Sequence, residues 1–146
     1  MPIRYLLDTN VISELARKAP NPGVARALDR HEPNCALPAP VLEELHFGVA
    51  RLAAGRKRAM LEQWLAALAE RIEVLPYDAR AACWLGRERA RLIALGRPAP
   101  RADGEIAAIA VTQGLTLVTR NLGDFAGFDD LRVDDWHAGG EPGSVR

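Results

Sequence analysis

The sequence predicts an α/β fold on a mostly parallel central sheet, and three observations carry that prediction. Short apolar runs rich in β-forming residues alternate with stretches of helical periodicity, the order that produces strand–helix–strand crossovers. The opening run Ile3-Arg4-Tyr5-Leu6-Leu7 ends on Asp8-Thr9-Asn10, a polar turn that leads into a helical pattern. Leu115-Thr116-Leu117-Val118-Thr119 is the strongest strand by composition and is followed by a second polar turn. The chain has 146 residues, 49% of them apolar, enough for one core, so a single domain is expected over 1–137. The segment 138–146 opens with a stretch that has no apolar side chains to bury, and is expected to be a disordered tail.

The elements follow in order. Strand one covers 3–7, and a helix from Val11 to about Lys18 follows, with Asn10 as its cap. Pro20-Asn21-Pro22-Gly23 stops that helix, and Val24, Ala25 and Leu28 mark a short second one. Cys35-Ala36-Leu37 is a short strand between prolines. Pro40 opens a helix to about Ala54, since proline is tolerated in a first turn, and Gly55 ends it. Lys57 to Glu70 carries Leu61, Trp64, Leu65 and Leu68 at helical spacing, giving an αα-hairpin with its predecessor. Ile72–Leu75 is a strand. Asp78 caps a long helix through Leu95, and Arg97-Pro98-Ala99-Pro100-Arg101 is a stiff connector. A helix starts at Asp103 and ends at Gly114, and the strong strand comes next. Residues 120–125 form a turn, and Leu131–Val133 a last short strand.

With 19 basic and 19 acidic side chains the formal charge is zero, so no global field draws the chain onto nucleic acid. A nucleic-acid substrate would have to be held by a local basic patch or through a metal ion. The two cysteines, Cys35 and Cys83, have no metal-binding spacing and lie in apolar stretches, which reads as two buried free thiols. No run is long enough to span a membrane and no signal sequence is evident, so a cytoplasmic protein is expected.

Several polar residues converge on one sheet edge. Asp8 ends strand one, Asn121 and Asp124 follow the strong strand, and Asp103 opens the helix that feeds it. In the helix from Pro40, Val41, Leu45, Val49 and Leu52 define the apolar face. At about 100° per residue Glu43 falls opposite that face and Glu44 at its flank, where it can reach into a cleft. Gly48, one turn on, leaves room there. Singly, each has an ordinary explanation: a helix cap for Asp103, turn residues for Asp8, Asn121 and Asp124, a solvated carboxylate for Glu44. Jointly, clustered carboxylates repel without a cation. Hard divalent ions take such oxygens together with phosphates, and can polarise a phosphodiester and orient a water.

These segments resemble the PIN-domain family, and within it the VapC-type toxins of bacterial toxin–antitoxin pairs, near the FitB-like branch. The resemblance rests on Leu6-Leu7-Asp8-Thr9-Asn10-Val11-Ile12-Ser13-Glu14, Glu44-Leu45-His46-Phe47-Gly48-Val49, Ala102-Asp103-Gly104-Glu105-Ile106-Ala107-Ala108, Val118-Thr119-Arg120-Asn121 with Asp124-Phe125, and the ending Asp135-Trp136-His137. It implies a three-layer α/β/α fold and an endoribonuclease dependent on Mg²⁺ or Mn²⁺ that leaves a 5′-phosphate and a 3′-hydroxyl. By position, Asp8, Glu44 and Asp103 would be the metal-coordinating acids, Asn10 would orient Asp8 or a metal-bound water, and Thr119 would support the site from behind. The branch's fourth acid can stand where this chain has Asn121. Asp124, three residues on, is the other candidate, and both remain open at this point. His31, His46 and His137 lie outside the acidic motifs and read as structural or surface residues.

Of the arginines, Arg97 and Arg101 flank the connector before Asp103 and are the candidates for substrate phosphate. The resemblance also implies a cognate VapB-type antitoxin, bound helix-in-groove beside Phe47, Leu61 and Trp64, and a homodimer. A different class of function is a catalytically weak PIN fold that binds the antitoxin as a co-repressor, motivated by Asn121. An aspartyl-phosphate phosphatase is disfavoured, because the second aspartate it needs two residues after the first is here Asn10.

Overall fold

The structure, a computed structural model, describes residues 2–138. Most of the expected tail, from residue 139 onward, lies outside them. Five parallel strands form one sheet: β1 (Tyr5–Leu7), β2 (Cys35–Pro38), β3 (Glu73–Leu75), β4 (Thr116–Val118) and β5 (Arg132–Asp134). Their spatial order is β3-β2-β1-β4-β5. Tyr5 is in register with Cys35 on one side and with Thr116 on the other. Successive strand residues face opposite ways, yet Tyr5, Leu6 and Leu7 are all buried, so both faces are covered. The expected α/β/α layering and parallel sheet are what is found.

The helices are α1 (Thr9–Ile12), α2 (Pro22–His31), α3 (Ala39–Ala50), α4 (Arg56–Arg71), α5 (Ala79–Ala94), α6 (Arg101–Gln113) and α7 (Leu122–Phe125). The pair α3–α4 is the hairpin, and α3 also packs on β2, β3 and α6, while α5 and α6 pack along each other. That last approach is close. A Cβ on Gly104 would lie 2.8 Å from Leu85 Cδ1, and Leu85 is itself buried. Gly104→Ala sets the roughly 1 kcal/mol that alanine gains over glycine inside a helix against an overpacking cost of about 1–3 kcal/mol at the buried Leu85, and a lower urea midpoint is expected. Among the described residues no helix is long and apolar enough to cross a membrane.

The chain path creates the site. From β1 the chain runs outward through β2 and β3, then crosses back to lay β4 on the other side of β1. The order reverses between β1 and β4, and such a switch point opens a crevice beyond the carboxyl ends of the two strands.

Several local expectations are corrected. Asp8, not Asn10, caps α1: its carboxylate accepts the Thr9 backbone N–H, and its carbonyl accepts those of Val11 and Ile12. The expected helix 11–18 is one α-turn followed by a 3₁₀ turn, Ser13–Ala16. There the buried Glu14 accepts the backbone N–H of Asn21 at 2.7 Å and turns the chain. The segment has already ended at Ala16, with Arg17 extended, before Pro20–Gly23 is reached, and there Asn21 caps α2 with Pro22 in its first turn. The helix α3 ends at Ala50 rather than Ala54, and α6 starts at Arg101, which puts Asp103 inside its first turn. Cys35 is buried, whereas Cys83 is exposed, because helical spacing turns it away from the buried Ala81 and Leu85.

Candidate active site at the strand switch point

The site is assembled from β1 outward. Asp8 is drawn to the carboxyl end of β1 by pairing with β4, its N–H donating to the Val118 carbonyl at 3.0 Å. Only 7% of it is exposed. One carboxylate oxygen accepts the Thr9 N–H at 2.8 Å. The other accepts the Thr119 hydroxyl at 2.8 Å and the Asn10 side-chain amide at 3.3 Å. Asn10 also bridges the strand ends, its side-chain oxygen accepting the Arg120 N–H at 3.0 Å. The fully buried Thr119 hydroxyl accepts the Asn121 N–H at 3.0 Å. Asp8 is thus held by neighbours on two strand ends. Burial pushes its carboxyl above the ordinary aspartate range, and the Thr119 hydrogen bond is the strongest opposing influence. Thr119→Val keeps the shape and removes that donor. A further rise in the Asp8 pKa is expected by NMR titration, with a stability loss of about 1–3 kcal/mol.

Glu44 reaches the same place from α3. It is exposed, on the flank anticipated from the periodicity, and accepts the Thr9 hydroxyl at 2.7 Å. Thr9 was not singled out from the sequence. The available signal was its place directly after the strand-end acid, where a hydroxyl faces outward from the first turn of α1.

Asp103 enters from the first turn of α6, half-buried, and its carboxylate has no hydrogen-bond partner among the described residues. Burial raises its pKa first, then the charges of Asp124, Asp8 and Glu44. Three carboxylates from other parts of the chain therefore bear on Asp103, and Glu44 bears on Asp8 as well. Below about pH 4 Asp103 is protonated in both folded and unfolded chains, so no penalty applies. As pH rises through its raised folded value, the charge must form against burial and its neighbours, and stability falls. Asp103→Asn is accordingly expected to raise the thermal midpoint at neutral pH and leave it unchanged below about pH 4.

At the fourth position Asn121 is exposed, and its side chain makes no capping bond to α7. Asp124, one turn further, is the nearby acid that most strongly raises Asp103. Of the two phosphate candidates, Arg101 is paired with Glu105 at 3.0 Å. The Arg97 guanidinium has no ion-pair partner among the described residues, and neither does Arg120 at the end of β4. Phe47, at 59% exposed, lies off the apolar stripe of α3, with Arg51 over its ring, while Leu61 and Trp64 are half-buried on α4.

The donor set is all carboxylate oxygen, the chemistry that hard divalent ions select. As placed, no three acids or histidines among the described residues stand close enough to enclose an ion. The set fits such an ion in chemistry and charge.

Comparison with known proteins places the chain as a whole. The PIN-domain profile matches residues 5–131. The chain is 31% identical over 135 residues to a tRNA(fMet)-specific endonuclease VapC of Salmonella typhimurium, covering 92% of this chain and 98% of the relative. It is 36% identical over 143 residues to toxin FitB of Neisseria gonorrhoeae, covering 90% and 98%. A solved structure of FitAB bound to an IR36 DNA fragment superposes with a TM-score of 0.78 at 35% identity, covering 91% of this chain and 95% of that one.

Proposed function

This chain belongs to the PIN-domain family, among its VapC- and FitB-type toxins, and from that premise we propose a metal-dependent endoribonuclease toxin held in check by a cognate antitoxin. The observation that carries the reading is the placement of Asp8 and Glu44 on either side of Thr9 at the switch point, with Asp103 close enough that the charges of Asp124, Asp8 and Glu44 raise its pKa. A cation relieves that repulsion. Asp8, Glu44 and Asp103 would hold Mg²⁺ or Mn²⁺, with Asp124 rather than Asn121 supplying the fourth charge. The ion supplies Lewis acidity at the scissile phosphate and lowers the pKa of the attacking water.

The chain's own residues do the rest. Thr119, Asn10 and the Thr9 N–H stabilise Asp8 as a carboxylate, and Thr9 holds Glu44 at the crevice. Arg97 offers a cation to the substrate backbone. The products would be a 5′-phosphate and a 3′-hydroxyl. A VapB-type antitoxin seated beside Phe47, Leu61 and Trp64, a homodimer and a cytoplasmic location complete the proposal. The DNA-bound FitAB complex favours a second role beside cleavage, co-repression by the toxin–antitoxin pair.

The test is cleavage of purified RNA by the chain alone. Loss with EDTA and recovery with Mn²⁺ are expected, as is a rise in thermal midpoint on adding Mn²⁺. Cleavage that persists in EDTA defeats the metal mechanism. Absence of any Mn²⁺-dependent stabilisation at millimolar metal favours the non-catalytic reading.

A further inference from the structure

We infer that the recess beside the acids is a nucleobase subsite, which takes the unpaired base of a nucleotide adjoining the scissile phosphate. This inference rests on the nuclease reading above and adds what that site reads. The recess, about 370 Å³, lies between the connector before α6 and the α7 segment with its following turn. That is near the lower end of the roughly 300–1,000 Å³ typical of small-ligand sites, and it has room for a nucleobase.

Its walls suit a base. Leu92, Pro98, Pro100 and Phe128 supply apolar surface. The two prolines have fixed φ angles, so that wall needs no ordering when a base arrives. Proteins that take up an extruded base hold it between aromatic or apolar side chains, and they place phosphates on cations. The cation is present: Arg97 lines the recess. Neighbouring Arg91 and Arg101 are instead held by Glu88 and Glu105.

Position gives the strongest argument. Asp124 lines the recess, and the connector that forms the opposite wall runs through Pro100 straight into the first turn of α6, which carries Asp103. An RNA strand with a phosphate at the acids therefore brings its next unit to this opening. The far wall is preset as well. Arg91 donates to the Gly127 carbonyl at 2.8 Å and to Glu88 at 2.7 Å, and Glu88 in turn accepts the Asp129 N–H at 2.7 Å. This tie from α5 fixes the turn after α7.

The experiment uses short single-stranded RNA oligonucleotides cut by the whole chain with Mn²⁺, each carrying one abasic ribose at a defined position around the cleavage site. For the wild-type chain, one flanking position is expected to lose about ten- to a hundredfold in kcat/KM when its base is removed. Two variants fill the recess. Ala126→Trp occupies it from an exposed residue at the end of α7. Gly127→Leu grows into it, because a Cβ there would lie 3.9 Å from Leu92 Cδ2 without a clash. In either variant the intact-to-abasic ratio at that position is expected to collapse towards one while the thermal midpoint is kept. Should one variant fold poorly, the other carries the comparison. A ratio that persists in a folded variant, or a wild-type chain indifferent to every abasic position, overturns the subsite alone. A wild-type chain that cuts none of the RNAs overturns the nuclease reading and the subsite with it.

Discussion

Asp8→Asn is expected to lower RNA cleavage by at least about 100-fold, more than the roughly 10- to 100-fold seen when only an outer partner of a metal ligand is lost. The variant should nevertheless fold. Asparagine is as good a helix cap as aspartate, so the Thr9 N–H keeps its acceptor. The new amide can donate to the Thr119 hydroxyl, reversing the present 2.8 Å bond, while the longer 3.3 Å bond from the Asn10 amide to the same atom is given up. Because burial already raises the Asp8 pKa, removing its charge should leave the thermal midpoint unchanged or higher. The Mn²⁺-induced rise in midpoint should shrink in parallel. A cleavage assay and a thermal scan on one preparation check both expectations, and full activity in this variant would defeat the assignment.

Trp136→Ala is expected to destabilise the fold by about 3–5 kcal/mol, the range for emptying a large aromatic from a core. Trp136 heads the fully buried side chains by volume and is 0% exposed. Its ring packs T-shaped against Tyr5 at 5.2 Å, and His31 completes a three-ring cluster, 5.4 Å from Tyr5 and 6.2 Å from Trp136. The residue follows β5 and reaches back to the central strand, so its loss uncouples the last strand's end from β1. Urea unfolding with an unchanged slope and a lower midpoint is the expected signature. Activity per folded molecule should be little changed, in contrast to Asp8→Asn.

Much of this site was legible in the chain. A strand-end acid, an acid on a helix flank and an acid at a helix start can be read from periodicity alone, and Asp8, Glu44 and Asp103 were found in that way. The local capping was misread, because Asn10 and Asp8 are both good caps and sequence cannot say which has its oxygen over the free N–H groups. In the fold Asp8 wins by ending β1 in an extended conformation, which frees Asn10 to join the two strand ends. The exposure of Cys83 was missed for a related reason. Apolar neighbours in sequence are not neighbours on a helix, where the burial pattern follows Ala81, Leu85 and Leu92.

Patterning along the chain settled the α/β class, the alternation of elements and the acids beside the strand ends, since those depend on interactions a few residues long. Strand order and the choice of neighbours came from long-range packing. Nothing local tells β4 to lie beside β1 rather than β3, yet that placement opens the crevice, brings Thr119 to Asp8 across 111 positions of sequence and lets Asp124 act on Asp103. Burial and Coulomb repulsion are properties of assembled neighbours, and the site's charge state came into being only with the tertiary fold.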